Sequence, residues 1–306
     1  MVRPAIVLVD KPAGVTSHDV VARARKAFGT RKVGHAGTLD PMATGLLVLG
    51  VEGATRLLTY LVGLDKTYLA IIRLGQSTSS DDADGEISTQ QDASHITADQ
   101  LASAVAGFTG VISQVPSSVS AIKVDGRRAY DRVRAGEEVQ LTAREVTVSR
   151  FEVLDHRPLG VVVDVDVAVD CSSGTYIRAL ARDLGTELGV GGHLTALRRT
   201  HVGPFDVADA AAIDAIGPAC ALDAGTGSAS VLSPARVASE VLGELAVTAT
   251  QARDLRHGKR LPGLADRLNG AEHRAAIDPD GKLVGVVGAR GADIRSVMNM
   301  PEEAYL

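Results

Sequence analysis

The chain has 306 residues, 45% hydrophobic and 23% charged, with a formal net charge of −5, which fits a globular protein of two domains. No apolar run is long enough to predict a membrane span, and the apolar start stops at Asp10 and Lys11, unlike a signal peptide. Cys171 and Cys220 are too few for a disulfide framework or a four-cysteine zinc site, so we expect free thiols, with Cys171 buried.

Apolar periodicity predicts the first elements of the chain. Strands are expected at 6–9, 46–49 and 68–74. Between the first two strands, Ser17 is predicted to cap a helix with one apolar stripe, and Gly29 is predicted to end it.

The middle of the chain is more polar. Residues 77–95 are expected to form an exposed acidic loop, after which Thr97 and Gln100 make a capping box that predicts a helix. Residues 116–138 show no clear hydrophobic periodicity and carry a basic cluster with Tyr130, so we interpret them as a mobile insertion that contacts RNA.

Strand signals return in the second half. A strand is predicted at 146–148, and 161–169 alternates as a strand should, with Asp164 and Asp166 on its wetter face. Gly174 is predicted to open an amphipathic helix. Residues 217–234 are predicted to form a linker, and three short strands are predicted after it, at 245–248, 275–277 and 282–287. Because strands and helices do not alternate regularly, the expected class is α+β with a largely antiparallel sheet.

Charge is unevenly distributed along the chain. Residues 76–100 hold six acids and no Lys or Arg, whereas 23–32 hold five bases and no acid. Residues 121–134 hold five bases against two acids. A basic face on an acidic protein can still attract phosphates, although each run alone also fits a solvated surface.

One carboxylate, Asp40, lies in a glycine-rich loop just before an apolar strand. Gly37 permits unusual backbone angles, and Pro41 stiffens the bend directly after the acid. A carboxylate held this way suits a nucleophile or a general base. The alternative is a turn aspartate that bonds its own backbone, and composition alone leaves both open.

Six motifs in order give the chain a family resemblance. Together with the Asp40 loop, the segments resemble the bacterial tRNA pseudouridine-55 synthases, the TruB family, over roughly residues 5–205. The segments that carry the resemblance are Lys11–Ser17, Gly107–Pro116, Ser120–Tyr130, Cys171–Gly185 and Leu197–Thr200. Six motifs in the family's order make a chance match improbable.

The resemblance implies a specific architecture. We expect a pseudouridine-synthase catalytic core with a mixed, largely antiparallel sheet over 1–232, and a thumb inserted at about 116–138. Residues 233–306 are expected to form a small β-rich, PUA-like RNA-binding domain. Pro116–Ser120 departs from the family's usual proline and aromatic pattern, and Ala36 stands where the family often has threonine.

The resemblance also implies an activity and catalytic residues. The family isomerises uridine-55 in the T-loop of tRNA to pseudouridine by base flipping, without metal or cofactor. Asp40 matches the essential carboxylate, and Arg178 the residue expected to pair with it. Tyr68 and Tyr176 match the two tyrosines of the uracil pocket, with Tyr68 expected to stack on the base. Whether Asp40 attacks the base, attacks the sugar or removes a sugar proton stays open.

Further residues are expected to bind the substrate. His35 matches the residue that fills the gap left by the flipped base, Leu197 matches an apolar pocket wall, and Lys11 and Pro12 are expected to brace the pocket. The basic residues expected to approach RNA phosphates are Arg127, Arg128, Arg198 and Arg199.

The expected partner is tRNA, through its T-arm stem-loop. The resemblance implies a monomeric cytoplasmic enzyme with no membrane association and no obligatory protein partner. Two alternatives remain: the catalytic subunit of a guide-RNA-dependent pseudouridylation complex, and a tRNA-binding or folding chaperone. A glycosidase would need two opposed carboxylates, whereas only one motif acid is present.

Overall fold

The computed structural model describes residues 2–117, 123–124, 127–128, 141–216 and 230–300. The chain divides into two compact units. The first unit comprises residues 1–41, 45–63 and 201–306, and the second comprises 42–44 and 64–200. In the described part of the chain, no helix is long and apolar enough to cross a membrane.

The N-terminal part of the first unit consists of paired strands, both parallel and antiparallel, covered by a helix. Its central strand β1 (Ala5–Lys11) pairs antiparallel with β3 (Thr44–Val51), and β2 (Val33–His35) pairs antiparallel with β3. Helix α1 (Ser17–Phe28) packs its apolar stripe on these strands. The remaining elements of this part are a 3₁₀ turn at Glu52–Leu57, α2 (Leu58–Val62), β13 (Phe205–Asp206), β14 (Ala211–Ala212) and β15 (Val231–Leu232).

The predicted strand and helix are confirmed here, with one correction at the helix start. Thr16, not Ser17, is the N-cap: its side chain accepts from the Asp19 N–H, and the Asp19 carboxylate accepts from the Thr16 N–H. The Ser17 hydroxyl is used elsewhere, since it accepts from Leu39 N at 2.9 Å. Gly29 ends the helix as predicted, in the left-handed conformation at φ 64°.

The C-terminal part of the first unit is a four-stranded sheet with helices. The strand order is β16 (Glu244–Ala246), β17 (Arg274–Ile277), β18 (Leu283–Arg290) and β19 (Asp293–Asn299). β16 runs parallel to β17 and the other pairs are antiparallel. The three predicted strands are confirmed, whereas β19 and two helices were not predicted. The helices are α5 (Pro234–Leu242) and α6 (Ala249–Arg256).

The second unit contains five hydrogen-bonded strands. Its strand order is β12 (Gly192–Val202), β4 (Lys66–Leu74), β11 (Val162–Cys171), β10 (Arg144–Leu159) and β7 (Gly110–Gln114). The last three pairs are antiparallel, as the predicted α+β class requires. Two helices complete the unit: α3 (Ala98–Ala106), with the predicted Thr97–Gln100 capping box, and α4 (Ile177–Glu187).

Two predictions about the second unit need correction. Residues 77–95 are not only an exposed loop, because β5 (Gln76–Thr78) and β6 (Ile87–Gln90) form a hairpin whose connection includes the buried Asp82. Helix α4 begins at Ile177 rather than at Gly174, which instead occupies a turn at φ 91°.

Arginines from neighbouring strands neutralise the polar face of β11. Asp164 pairs with Arg73 of β4 at 2.7 Å, and Asp170 pairs with Arg150 of β10 at 2.7 Å. Asp166 is bound by Arg157 of β10. These cross-strand pairs suit the wetter face that the alternation of 161–169 predicted.

The predicted thumb and linker lie largely outside the described residues. Within the thumb, the structure describes residues 116–117 and two short paired strands, β8 (Lys123–Val124) and β9 (Arg127–Arg128). Residues 217–229 of the linker, with Cys220, are also outside the description. Cys171 is buried as expected, and burial raises the pKa of its thiol to about 11.

Candidate active site

The loop that carries Asp40 is fixed on both sides of the carboxylate. Before it, Leu39 is buried, donates its N–H to the Ser17 hydroxyl and accepts from that hydroxyl at 3.1 Å. After it, the carbonyl of Pro41 accepts from Gly14 N at 2.8 Å. Asp40 itself is partly buried. A carboxylate between two anchored neighbours has little backbone freedom, as a reacting group needs.

Lys11 ties the N-terminal motif to this loop. Its side chain is fully buried at 0% exposure, and its ammonium donates to the carbonyls of Pro12 at 2.9 Å and Val15 at 2.8 Å. A third, longer bond reaches the Pro41 carbonyl at 3.3 Å. The structure therefore brings Lys11 and Pro12 beside the Asp40 loop, and Pro12 contributes a carbonyl rather than its exposed ring.

His35 lies at the end of β2, at the entrance to the same loop. Its ring packs edge-on against His18 of α1, with the ring centroids 5.8 Å apart and the planes at 78°. The next residue, Ala36, is buried and donates its N–H to the Val48 carbonyl at 2.9 Å. In the first unit, four predicted site residues therefore lie in or directly next to the loop around Asp40: Lys11, Pro12, His35 and Asp40 itself.

Tyr68 and Leu197 occupy neighbouring strands of the second unit. Tyr68 lies on β4, opposite Val169 of β11, and is mostly buried. Leu197 on β12 is buried too, and Arg198 beside it is partly buried, with its guanidinium 3.4 Å from the Thr44 hydroxyl. These placements suit an apolar wall and a polar rim, and the substrate roles stay predictions.

Tyr176 and Arg178 stand at the start of α4. The Arg178 side chain is only 5% exposed, and its guanidinium lies 3.3 Å from the Asp82 carboxylate, whose side chain is 7% exposed. Arg178 also donates to the Ser80 carbonyl at 3.0 Å. The predicted pairing of Arg178 with Asp40 stays a prediction.

Sequence reasoning missed Asp82. Its carboxylate accepts from the Ser80 hydroxyl and from Asp84 N at 3.2 Å, besides facing Arg178. The hydroxyl of Thr78 donates to its carbonyl at 2.7 Å. Asp82 belongs to the acidic run that was interpreted as solvated surface, and no local pattern separates it from its neighbours.

Arg199 does not lie where a phosphate would reach it. It is only 1% exposed, which argues against the predicted phosphate contact. Burial, and to a smaller extent the charge of Arg199, lowers the pKa of Lys66 to about 8.

The predicted RNA contacts of Arg127 and Arg128 fall outside the described side chains, because the structure describes only the backbone of β9 at these two residues. Across the ranges that the structure describes, no three His, Cys, Asp or Glu residues are grouped as a metal site would require.

Three family descriptions match successive parts of the chain. "TruB family pseudouridylate synthase (N terminal domain)" matches residues 25–177. "tRNA pseudouridylate synthase B C-terminal domain" matches 178–237, and "tRNA Pseudouridine synthase II, C terminal" matches 243–301.

Curated relatives match over nearly their whole length. The "tRNA pseudouridine synthase B" of Leifsonia xyli subsp. xyli is 53% identical over 99% of this chain and 98% of its own. The protein of the same name from Rhodococcus jostii is 53% identical over 97% of this chain and 94% of its own.

Solved structures share the fold at lower identity. A chain of a Cbf5-Nop10-Gar1 complex superposes with a TM-score of 0.71 at 25% identity, covering 98% of this chain and 86% of that one. A chain of an H/ACA RNP bound to a substrate RNA containing 2′-deoxyuridine gives 0.70 at 24% identity, covering 99% and 87%.

Proposed function

The chain belongs to the TruB family of pseudouridylate synthases, and we propose that it isomerises uridine-55 in the T-loop of tRNA to pseudouridine. The observation that carries this proposal is the 53% identity, over 99% of the chain, to a relative named tRNA pseudouridine synthase B. The anchored Asp40 loop supports it, because the reaction needs one rigidly held group beside the ribose.

The chemistry is a rearrangement within one nucleotide. The bond between uracil N1 and the ribose carbon breaks, the base turns, and a bond from uracil C5 to the same carbon replaces it. The proton on C5 leaves and N1 gains one, so the atoms and electrons balance without water or an oxidant. The enzyme must therefore supply a nucleophile or base, a closed pocket and an acceptor for the C5 proton.

We assign the catalytic roles from the motif positions. Asp40 is the group that acts on the nucleotide, and Arg178 keeps that carboxylate charged and oriented. Tyr68 stacks on the uracil, and Tyr176 and Leu197 close the pocket around it. The burial of Tyr68 and Leu197 supports this assignment, because an apolar pocket excludes water from the detached base.

The substrate uridine must leave its stack in the folded T-loop before it can react. His35 fills the space that the flipped base leaves, while Lys11 and Pro12 hold the loop that presents His35. Arg127, Arg128 and Arg198 approach RNA phosphates. The partly buried Arg198 is the only one of these three with a described side chain.

The proposal includes finer points of organisation. Residues 1–232 form the catalytic domain, and 233–306 form a PUA-like RNA-binding domain. The protein works as a cytoplasmic monomer without a cofactor or an obligatory protein partner. The second candidate is a guide-RNA-dependent catalytic subunit, which the fold shared at 25% identity with a chain of the Cbf5-Nop10-Gar1 complex favours.

The test is incubation of the purified chain with unmodified tRNA and, separately, with a T-arm stem-loop, followed by mapping of pseudouridine. We expect modification of uridine-55 in both substrates, in the presence of EDTA and without any added protein. A stem-loop with cytidine at that position is the substrate control. Modification that requires an added guide RNA or protein subunit would replace the stand-alone function by the guide-dependent one.

A further inference from the structure

The amide side chain of Gln114 clamps the backbone of Tyr176. Gln114 ends β7 and is 2% exposed. Its Oε1 accepts from the Tyr176 N–H at 2.8 Å, and its Nε2 donates to the Tyr176 carbonyl at 3.1 Å. One side chain thus bonds both backbone polar groups of a single residue 62 positions away, and the Tyr176 carbonyl also accepts from Leu180 N at 3.1 Å.

Tyr176, whose backbone Gln114 holds, lies at the start of the helix that carries Arg178. Tyr176 is the N-cap of α4, with φ −105° and ψ 107°, and its side chain makes no capping bond. The residues before it form a turn that contains Gly174 at φ 91°. Because Arg178 is the second residue of α4, a shift of Tyr176 would change where the guanidinium points.

From this geometry we propose that Gln114 is a positioning residue for the isomerisation, acting through Tyr176 and Arg178. The proposal rests on the proposed function, since it assigns Gln114 to the same reaction. Gln114 holds the start of α4, so that the Tyr176 ring and the Arg178 guanidinium keep the orientations that the reaction needs. It does not touch the nucleotide.

A second bridge fixes the same strand end to the same helix. Arg182, one turn along α4 from Arg178, donates to the Val115 carbonyl at 2.8 Å. Its guanidinium also lies 3.3 Å from the carboxylate of Asp81, which directly precedes the Asp82 that faces Arg178. Gln114 at the end of β7 and Val115 after it are therefore bonded to the N-cap of α4 and to Arg182, respectively, and Arg182 lies on the same helix face as Arg178.

A merely stabilising glutamine would behave differently from a positioning one. Loss of buried hydrogen bonds alone lowers the folded fraction, and it reduces activity only as far as folded enzyme is lost. Loss of positioning lowers kcat of the folded enzyme while KM changes little, because tRNA binding uses a far larger surface.

Three variants separate these cases: Gln114→Met, Gln114→Glu and the control Gln91→Met. Methionine keeps the volume and removes both bonds, whereas glutamate keeps an acceptor for the Tyr176 N–H. Gln91 lies in the same unit with an exposed side chain, so Gln91→Met repeats the chemical change away from the clamp. Single-turnover and steady-state rates on the T-arm stem-loop, thermal unfolding and amide exchange of Tyr176 are measured for each.

We expect Gln114→Met to lose ten- to a hundredfold in kcat with KM within threefold, and to exchange the Tyr176 amide faster. Gln114→Glu should fall between it and the wild type, and Gln91→Met should match the wild type. A folded Gln114→Met with wild-type kcat overturns the proposal. If that variant does not fold, a Gln114→Glu enzyme at wild-type kcat overturns it, and a fivefold or larger loss supports it.

The outcomes also separate this inference from the proposed function. A wild-type chain that forms no pseudouridine refutes the function and, with it, any positioning role of Gln114. An active wild type beside an unimpaired Gln114→Met refutes the positioning role alone.

Discussion

Replacing Asp82 by asparagine tests whether the buried partner of Arg178 matters for both stability and turnover. Asp82→Asn keeps the shape and an acceptor for the Ser80 hydroxyl, but removes a charge 3.3 Å from the guanidinium. Both side chains are nearly inaccessible, so water cannot replace the lost charge. Breaking a buried ion pair costs about 3–5 kcal/mol, and we expect about 3 kcal/mol because the amide retains part of the hydrogen bonding.

Asp82→Asn should have two measurable effects, one on thermal unfolding and one on kcat. A loss of about 3 kcal/mol should lower the midpoint of thermal unfolding by roughly 6–12 °C for a unit of this size. An Arg178 no longer held by Asp82 should also lower kcat at 25 °C by about tenfold or more, equivalent to about 1.4 kcal/mol. The assays are calorimetric unfolding and pseudouridine formation in a T-arm stem-loop, at a temperature where both proteins are folded.

Asp84→Asn is the matched control for Asp82→Asn. Asp84 is exposed in the same hairpin connection, and only its backbone N–H bonds the Asp82 carboxylate. We expect it to stay within about 0.5 kcal/mol of the wild type with full activity. An Asp82→Asn protein that unfolds and turns over like this control would refute the reasoning, because the pair would then contribute neither stability nor orientation.

The remaining predictions concern catalysis, RNA binding and pH. Asp40→Asn should abolish pseudouridine formation while tRNA binding stays within about tenfold, roughly 1.4 kcal/mol; appreciable product would remove Asp40 from the mechanism. Reversing Arg127 and Arg128 to Glu should raise the dissociation constant for tRNA and flatten its salt dependence, and normal binding at every salt concentration would mark them as a solvated surface. Because burial lowers the pKa of Lys66 to about 8, below its ordinary 10.5, the folded protein releases this proton at lower pH than the unfolded chain does. Stability relative to Lys66→Met should therefore rise by up to about 3 kcal/mol between pH 8 and 10.5, and equal pH profiles in chemical denaturation would contradict the shift.

Local signals in the sequence predicted much of the fold because they act over a few residues. The Thr97–Gln100 capping box and the left-handed Gly29 fix helix ends through bonds within one turn, and both are confirmed. The start of α1 shows the limit of such signals. Thr16 and Ser17 can each cap a helix, and the choice is made by Leu39, to which the Ser17 hydroxyl bonds 22 residues away.

The family motifs likewise predicted which residues to examine, and their order along the chain was enough to indicate the reaction. Local spacing could not show how the loop around Asp40 is held. The three carbonyls that surround the Lys11 ammonium come from two segments, and only folding brings Pro41 beside Pro12 and Val15.

Tertiary structure alone decided which polar residues are buried. Asp82 looks like the other acids of its run, yet it faces Arg178, 96 positions later in the chain, within 3.3 Å. Arg199 was expected at a phosphate and is instead 1% exposed, and Gln114, which the sequence offered only as one position of a family motif, holds the backbone of Tyr176. The identity of a charged or amide side chain does not reveal whether it is buried or what it contacts. Its contribution to stability depends on solvent exposure and on partners, and both are set by strand pairing and helix packing.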